Sequence, residues 1–245
     1  MSRKQERFIA VIPARAGSKE IKNKNIVKIN GHPLISYSIE AAKKSKFIKD
    51  IFVSTDGKEI AKVAEKYGAK IIFRPKHLSN ETIQIEPSVL HAIKYIENIF
   101  KEEFDNIVLL QPTSPIRRID DLDDAINKFI KEKADSLFSC VNWHSTVWRM
   151  KNTKALPLGH NPFNRRHTNR KYMPETLTEN GSIYVTKKKI YKTIKNRLGG
   201  KISRYTMDNY TAFEVDTKND LKFFSVFLKP EIRKIFNIIN PKKTK

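Results

Sequence analysis

Apolar residues in this chain gather into short runs separated by stretches with helical spacing. Residues 8–12, 51–54, 70–73, 107–110 and 136–141 are brief, mostly apolar and bounded by turn residues. The first four predict strands buried on both faces. Between them, residues 34–44 space Leu34, Ile35, Ser38, Ile39 and Ala42 as one helical face, residues 59–67 do the same with Ile60, Val63, Ala64 and Tyr67, and residues 89–99 with Ile93, Ile96 and Ile99. Residues 120–131 open on acidic side chains and repeat Leu122, Ala125, Ile126 and Phe129, as in a helix whose N-terminus favours negative charge. Strand alternating with helix predicts an α/β fold, a doubly wound and mostly parallel sheet covered on both faces.

The rhythm breaks after Val141. Residues 142–178 are rich in Trp, His, Arg, Asn and Pro, and LPLGHNPFNRRHTNRKYMPET shows neither helical nor strand periodicity. Regularity returns with a strand over 181–185, a Lys-rich helix, a short strand over 202–205 and a closing helix over 219–228, while residues 240–245 read as a frayed basic tail. The expected organisation is a nucleotide-binding core over 1–141, an irregular insertion over 142–178 and a return to the core over 179–245.

Composition narrows the chemistry only in part. An apolar fraction of 39% over 245 residues provides for a substantial core, and 48 Lys+Arg against 26 Asp+Glu give a formal charge of +22. That excess suits nucleotides, nucleic acid or an acidic membrane surface, and equally suits ordinary solvated helix faces. The lone Cys140 cannot form an internal disulfide and sits in SLFSCV as a core thiol. No apolar stretch near the N-terminus is long enough for a signal peptide or a membrane span, so a cytoplasmic location is expected.

Ligands of doubly wound sheets sit at the carboxyl ends of the strands, so the loop after the first strand, PARAGSKEIKNKN, is where a ligand is expected. Gly17 and Ser18 permit a tight loop with exposed backbone N–H groups, and Arg15, Lys19, Lys22 and Lys24 can neutralise a polyphosphate. Neither G-x-x-x-x-G-K-[ST] nor G-x-G-x-x-G is present. Taken alone, the segment is also compatible with a solvated basic loop.

The wider set of motifs resembles the acylneuraminate cytidylyltransferase family, the CMP-sialic acid and CMP-nonulosonate synthetases. The matching segments run in order along nearly the whole chain: IPARAGSKEIKNKN, VSTD at 53–56, Arg74-Pro75, LLQPTSPIR at 109–117, ENGSIY at 179–184 and FEVDTKNDL at 213–221. The resemblance implies a nucleotide-diphospho-sugar transferase-like fold with an inserted dimerisation arm, hence a homodimer. It also implies a reaction in which the anomeric hydroxyl of a 2-keto sugar acid attacks the α-phosphate of CTP. Family motifs place Arg15, Ser18 and Lys24 on the triphosphate, Asn25 near the ribose and Arg74 on the nucleotide. They place Gln111, Asn180, Gly181 and Tyr184 at the sugar acid, with Arg15, Lys24, Gln111 and Asp216 as the catalytic set.

Glu214-Val-Asp216 puts carboxylates at alternate positions of an extended segment, where they can share Mg²⁺ or Mn²⁺. Asp216 is the stronger candidate for a direct ligand, because the family more often has Asp at both places; an acidic turn capping the next helix is the other reading. Asp56 reads as the N-cap of its own helix and stays outside the catalytic set. Arg165, Arg166 and Arg170 are candidate cations for the substrate carboxylate, Arg165 foremost, or parts of a basic surface loop. Trp143, Trp148 and Phe163 are interface aromatics or ordinary packing.

The chain departs from the sialic-acid members at two places. Residues 83–85 put Ile-Gln-Ile where a base contact is expected, and Thr178 stands where those members often have arginine, which points toward a legionaminate-like or other nonulosonate. The 3-deoxy-manno-octulosonate cytidylyltransferases are the nearest alternative, but they usually carry an acidic residue soon after the glutamine, where this chain has Gln111-Pro-Thr-Ser-Pro115. A basic nucleic-acid-binding protein accounts for the charge and leaves the Gln111, Asn180 and Asp216 motifs without a role.

Overall fold

The computed structural model describes residues 6–80, 82–142, 147–158 and 176–244. Its centre is a seven-stranded sheet built from β1 (Phe8–Pro13), β4 (Ile48–Thr55), β5 (Lys70–Phe73), β6 (Asn106–Leu110), β7 (Ser136–Asn142), β10 (Leu177–Lys187) and β11 (Ile202–Met207), in the order β11-β7-β10-β6-β1-β4-β5. Two short hairpins complete the strands: β2 (Lys28–Ile29) with β3 (His32–Pro33), and β8 (Val147–Lys151) with β9 (Lys154–Leu158). The helices are α1 (Leu34–Lys44), α2 (Lys58–Lys66), α3 (Glu86–Tyr95), α4 (Asp121–Lys131), α5 (Lys188–Ile194), α6 (Lys218–Phe227) and α7 (Pro230–Ile235).

Period-two alternation divides each central strand between two cores. Phe8, Ala10 and Ile12 of β1 pack with Val108 and Leu110 of β6 on one face. Ile9 and Val11 pack with Ile107 and Leu109 on the other. A third cluster, around Ile21, Leu34, Tyr37, Val215 and Phe224, fastens the first loop and the C-terminal helices to α1.

All strand pairings in the sheet are parallel except those of β10, which runs antiparallel to both β6 and β7. Leu177 at the start of β10 pairs with Asn142 at the end of β7, so the chain re-enters the sheet at the end where it left, which a strand–helix crossover between parallel strands does not do. The register between β10 and β7 shifts between Glu179 and Tyr184, and Gly181 within that bulge has φ +65°.

Several expected boundaries move. Helix α3 starts at Glu86 rather than Val89, with Pro87 in its first turn, where a missing N–H is no loss. It ends in a wider turn over Ile96–Phe100. Part of the supposedly irregular excursion is the β8–β9 hairpin, whose two-residue connection has Asn152 at φ 54°. The tail is not frayed over its described residues: Pro241 is buried, Lys242 N–H donates to the Glu40 carboxylate at 3.3 Å, and Thr244 N–H donates to the Lys66 carbonyl at 3.1 Å.

Candidate active site

Strands β1, β4, β5 and β6 end at Pro13, Thr55, Phe73 and Leu110, and the loops that follow them converge. The first loop is held open by three hydrogen bonds: Ala14 N–H to the Ser54 carbonyl at 2.9 Å, Ala16 N–H to Asp56 Oδ1 at 2.9 Å, and Asn25 Nδ2 to the Arg15 carbonyl at 2.9 Å. Asn23, at φ 55°, turns the chain into a single helical turn that carries Lys24 and Asn25 inward. Asp56 is therefore not the cap of α2. The N-cap there is Gly57 with no side-chain cap, and the Asp56 carboxylate fastens the first loop instead.

The convergence encloses a cavity of about 250 Å³, and Arg15, Ser18, Lys24, Asn25, Arg74 and Gln111 line it. Leu78, Asn80 and residues 83–85 form another wall. Lys19 and Lys22 are exposed and outside this lining. Arg74 is 8% exposed; its Nη1 donates to Ser88 Oγ at 2.8 Å and its Nε has no hydrogen-bond partner among the described residues. Burial lowers its pKa, Asp56 acts against that, and the charge of Arg15 adds to it. A guanidinium that is desolvated, incompletely bonded and beside a second cation is arranged to receive an anion.

Arg117, the last residue of LLQPTSPIR, shapes the far side. It is 1% exposed, and its guanidinium donates to Ser38 Oγ at 3.1 Å, the Gln111 carbonyl at 3.0 Å and the Ser182 carbonyl at 2.8 Å. Burial pushes its pKa down to about 9, opposed by Asp121 and Glu214. It joins the Gln111 turn to β10 from inside the protein. The motif ended on it, but its burial depends on residues far apart in sequence, so no local pattern distinguishes this arginine from a surface one.

Gln111 Nε2 donates to the Gly181 carbonyl at 3.0 Å. A Cβ on Gly181 would lie 2.1 Å from Glu214 Oε1 and 2.8 Å from Gln111 Nε2, so the glycine permits these two side chains to meet. The Asn180 side chain points inward: its Oδ1 accepts from Ser139 Oγ at 2.6 Å and its Nδ2 donates to Thr211 Oγ1 at 2.9 Å. Tyr184 is 3% exposed and donates to Glu179 Oε2 at 2.7 Å. Of the three β10 residues placed at the substrate, Gly181 adjoins Gln111 and Glu214, Asn180 braces the bulge, and Tyr184 faces the other side of the sheet.

The extended segment before α6 brings the acidic pair to the site. Val215 N–H donates to the Thr113 carbonyl at 2.8 Å, and Thr113 Oγ1 reaches Glu214 Oε2 at 3.3 Å. Burial, and then the charge of Asp216, raise the Glu214 carboxyl above the ordinary range; Thr113, Lys24 and Arg117 pull the other way. Asp216, whose side chain is 63% exposed, accepts from Lys24 Nζ at 2.9 Å. Capping of α6 falls to Thr217, whose side chain accepts from Asp220 N–H in a reciprocal capping box. The acidic pair is left for other work. Arg165, Arg166, Arg170, Trp143 and Phe163 lie outside the described residues; Trp148 is described, on β8 at 42% exposure.

Residues 9–231 match the family model described as Cytidylyltransferase. The chain is 34% identical over 227 residues to the "Post-translational flagellin modification protein B" of Campylobacter coli, covering 91% of this chain and 95% of that one. It is 34% identical over 229 residues to the "CMP-N,N'-diacetyllegionaminic acid synthase" of Campylobacter jejuni, covering 91% and 96%. Among solved structures, a CMP:2-keto-3-deoxy-manno-octonic acid synthetase complexed with CTP superposes with a TM-score of 0.69 over 92% of this chain and 100% of that one. At 20% identity that likeness concerns the fold.

Proposed function

Because the chain belongs to the cytidylyltransferase family, we propose that it couples CTP to a 2-keto sugar acid of the nonulosonic class, releasing pyrophosphate and forming the CMP-sugar. The observation that carries this reading is one cavity at the strand ends where Arg15, Lys24 and Arg74 converge beside Gln111, with Lys24 bonded to Asp216 of the acidic pair. A cluster of cations around one concave pocket favours a nucleotide over a polymer, which needs an extended exposed stripe.

In this reading the anomeric oxygen of the acid bonds to the α-phosphorus and the bond to the β-phosphate oxygen breaks. The barrier falls through positioning and charge neutralisation rather than through a covalent intermediate. Arg15, Ser18 and Lys24 hold the phosphates that leave, Asn25 keeps the loop in shape beside the ribose, and Arg74 meets the nucleotide. Gln111, oriented by Gly181 and the buried Arg117, faces the acceptor.

Glu214 and Asp216 suit Mg²⁺. Among the described residues no cluster of three or more His, Cys, Asp or Glu is present. Magnesium needs no third, since it takes one or two carboxylates and completes its shell with phosphate oxygens and water. Burial first, and then the neighbouring charge of Asp216, hold the Glu214 carboxyl above the ordinary range, and a bound cation would offset both. When bound, the ion would neutralise charge accumulating on the phosphates.

Arg165, outside the described residues, keeps from the family resemblance its candidacy for the acceptor's carboxylate, and we place the β8–β9 hairpin at a homodimer interface. The hairpin exposes Val147, Trp148, Met150, Leu156 and Leu158, each at least 41% accessible, the kind of apolar surface that an interface between protomers buries. Among the described residues no helix is long and apolar enough to cross a membrane, and the expected compartment is the cytoplasm.

The test is pyrophosphate release from CTP and Mg²⁺ with a panel of nonulosonic acids and 3-deoxy-manno-octulosonate. Release dependent on a nonulosonic acid is expected. No release with any of them, or release only with the octulosonate, would overturn the reading.

A further inference from the structure

The described residues between 75 and 85 supply one wall of the cavity, through Leu78, Asn80 and residues 83–85, and their only regular element is a short turn over Lys76–Ser79. Their hydrogen bonds are mostly local: Leu78 N–H to the Pro75 carbonyl at 3.0 Å, Ile83 N–H to the Asn80 carbonyl at 3.2 Å, and Thr82 N–H to Asn80 Oδ1 at 3.4 Å. Among the described residues, one side-chain bond ties this loop to the helix beyond it. Ser88 Oγ donates to the Leu78 carbonyl at 3.1 Å.

The same oxygen accepts from Arg74 Nη1 at 2.8 Å, the one hydrogen bond that this guanidinium makes among the described residues. A carbonyl can only accept and a guanidinium can only donate, so the single hydroxyl proton must go to Leu78 and the direction of both bonds is fixed. Arg74 opens the loop, its own N–H bonded to the Thr55 carbonyl at 2.9 Å. One atom therefore joins the cation at the start of the wall to a carbonyl within it.

Ser88 is itself firmly placed. It is 2% exposed and sits in the first turn of α3, where its N–H is bonded to the Ile85 carbonyl at 3.1 Å. Its neighbour Val89 belongs to the same core as Ile72, Ala92 and Ile93. A side chain on a packed helix is a more rigid support than the loop it holds. Without it, a long and rotamer-rich arginine has no protein bond to set its direction.

We propose that Ser88 is a positioning residue for nucleotide binding: its hydroxyl aims the Arg74 guanidinium into the cavity and fixes it against the wall that Leu78 begins. The assignment rests on the reading that this cavity takes CTP. Arg74 meets the ligand, and Ser88 acts through it. The guanidinium is thereby ordered by the fold rather than on binding, which favours affinity.

Ser88→Ala removes the acceptor from Arg74 and the donor from Leu78. Calorimetric titration with CTP and Mg²⁺, without any sugar acid, reads nucleotide affinity alone. The variant should bind CTP at least ~10-fold more weakly than wild type, as for loss of one hydrogen bond to a charged group. Arg74→Met keeps the stem and removes the guanidinium. On that background Ser88→Ala should change CTP affinity by less than about 2-fold, because no guanidinium remains to be aimed. A residue that only supported the fold would weaken binding by the same factor in both backgrounds. Ser88→Cys, close in volume and with a thiol that is a weak donor and acceptor, should repeat both results and serves in the same cycle where alanine prevents folding. CTP affinity within about 2-fold of wild type in the folded variants, or an equal loss with and without Arg74, overturns the assignment. If wild type itself does not bind CTP, the nucleotide reading falls and takes the role of Ser88 with it; the wild-type titration distinguishes the two failures.

Discussion

Replacing Gly181 with alanine tests how the acidic pair and the glutamine are held together. Its φ of +65° is a conformation that side chains with a Cβ adopt at a penalty of about 1–3 kcal/mol. The new methyl would lie 2.1 Å from Glu214 Oε1, so the carboxylate must withdraw by more than ~1 Å to reach van der Waals contact. The backbone penalty alone corresponds to a melting temperature lowered by about 2–12 °C for a protein of this size. Displacement of a catalytic group by ~1 Å is expected to lower kcat about 100-fold. The atoms nearest to a Cβ on Gly181 belong to Glu214 and Gln111 rather than to Arg15, Lys24 or Arg74, so the KM for CTP should stay within about 3-fold, a loss confined to the reacting end. Steady-state pyrophosphate release with both substrates varied separates these effects. Shortening the displaced side chain should restore part of the rate, so Gly181→Ala with Glu214→Asp should be faster than Gly181→Ala alone, a positive coupling in a double-mutant cycle. A kcat within about 3-fold of wild type in Gly181→Ala would refute the argument that this glycine exists to let Glu214 and Gln111 meet.

Arg117→Ala leaves the carbonyls of Gln111 and Ser182 without their internal donor, and urea denaturation should show a loss of about 3–5 kcal/mol; a loss below ~1 kcal/mol would mean that the turn is held by other contacts. The raised carboxyl of Glu214 gives a pH signature with a definite sign. Its folded pKa exceeds its unfolded one, so in metal-free protein the stabilisation is complete below the unfolded value and is lost as pH rises through the folded value. The melting-temperature difference between wild type and Glu214→Gln should therefore change across the pH range just above the ordinary carboxylate range, with the wild type losing ground as pH rises. Mg²⁺ should reverse that trend, since it requires the ionised form. A difference independent of pH and of Mg²⁺ would separate Glu214 from the metal.

Much of this protein was legible along the chain because the relevant physics is local or periodic. Strands buried on both faces announce themselves as short apolar runs, and β5 and α1 were located to the residue. The first loop was legible only together with the motifs that follow it, since taken alone it is equally a solvated basic loop, and Arg15, Ser18, Lys24 and Asn25 do line one cavity. The limits follow from the same physics. Strand direction is not encoded in period-two alternation, so the antiparallel placement of β10 depended on where the excursion returns the chain. Docking of the tail along α1 and α2 depended on partners roughly two hundred residues away, Glu40 and Lys66.

Tertiary structure also decided what individual polar residues do. A carboxylate after a strand has the same local pattern whether it caps a helix or holds a loop, and only the approach of Ala16 showed that Asp56 holds the loop. Two arginines in similar motifs, Arg74 and Arg117, were separated by burial and by their partners into a cavity cation and an internal brace. The placement of the Ser88 hydroxyl between Arg74 and Leu78 is invisible in sequence for the same reason. Residue type determines what a group can donate, accept or neutralise; only the folded chain determines which of those capacities is already satisfied and which remains for a ligand.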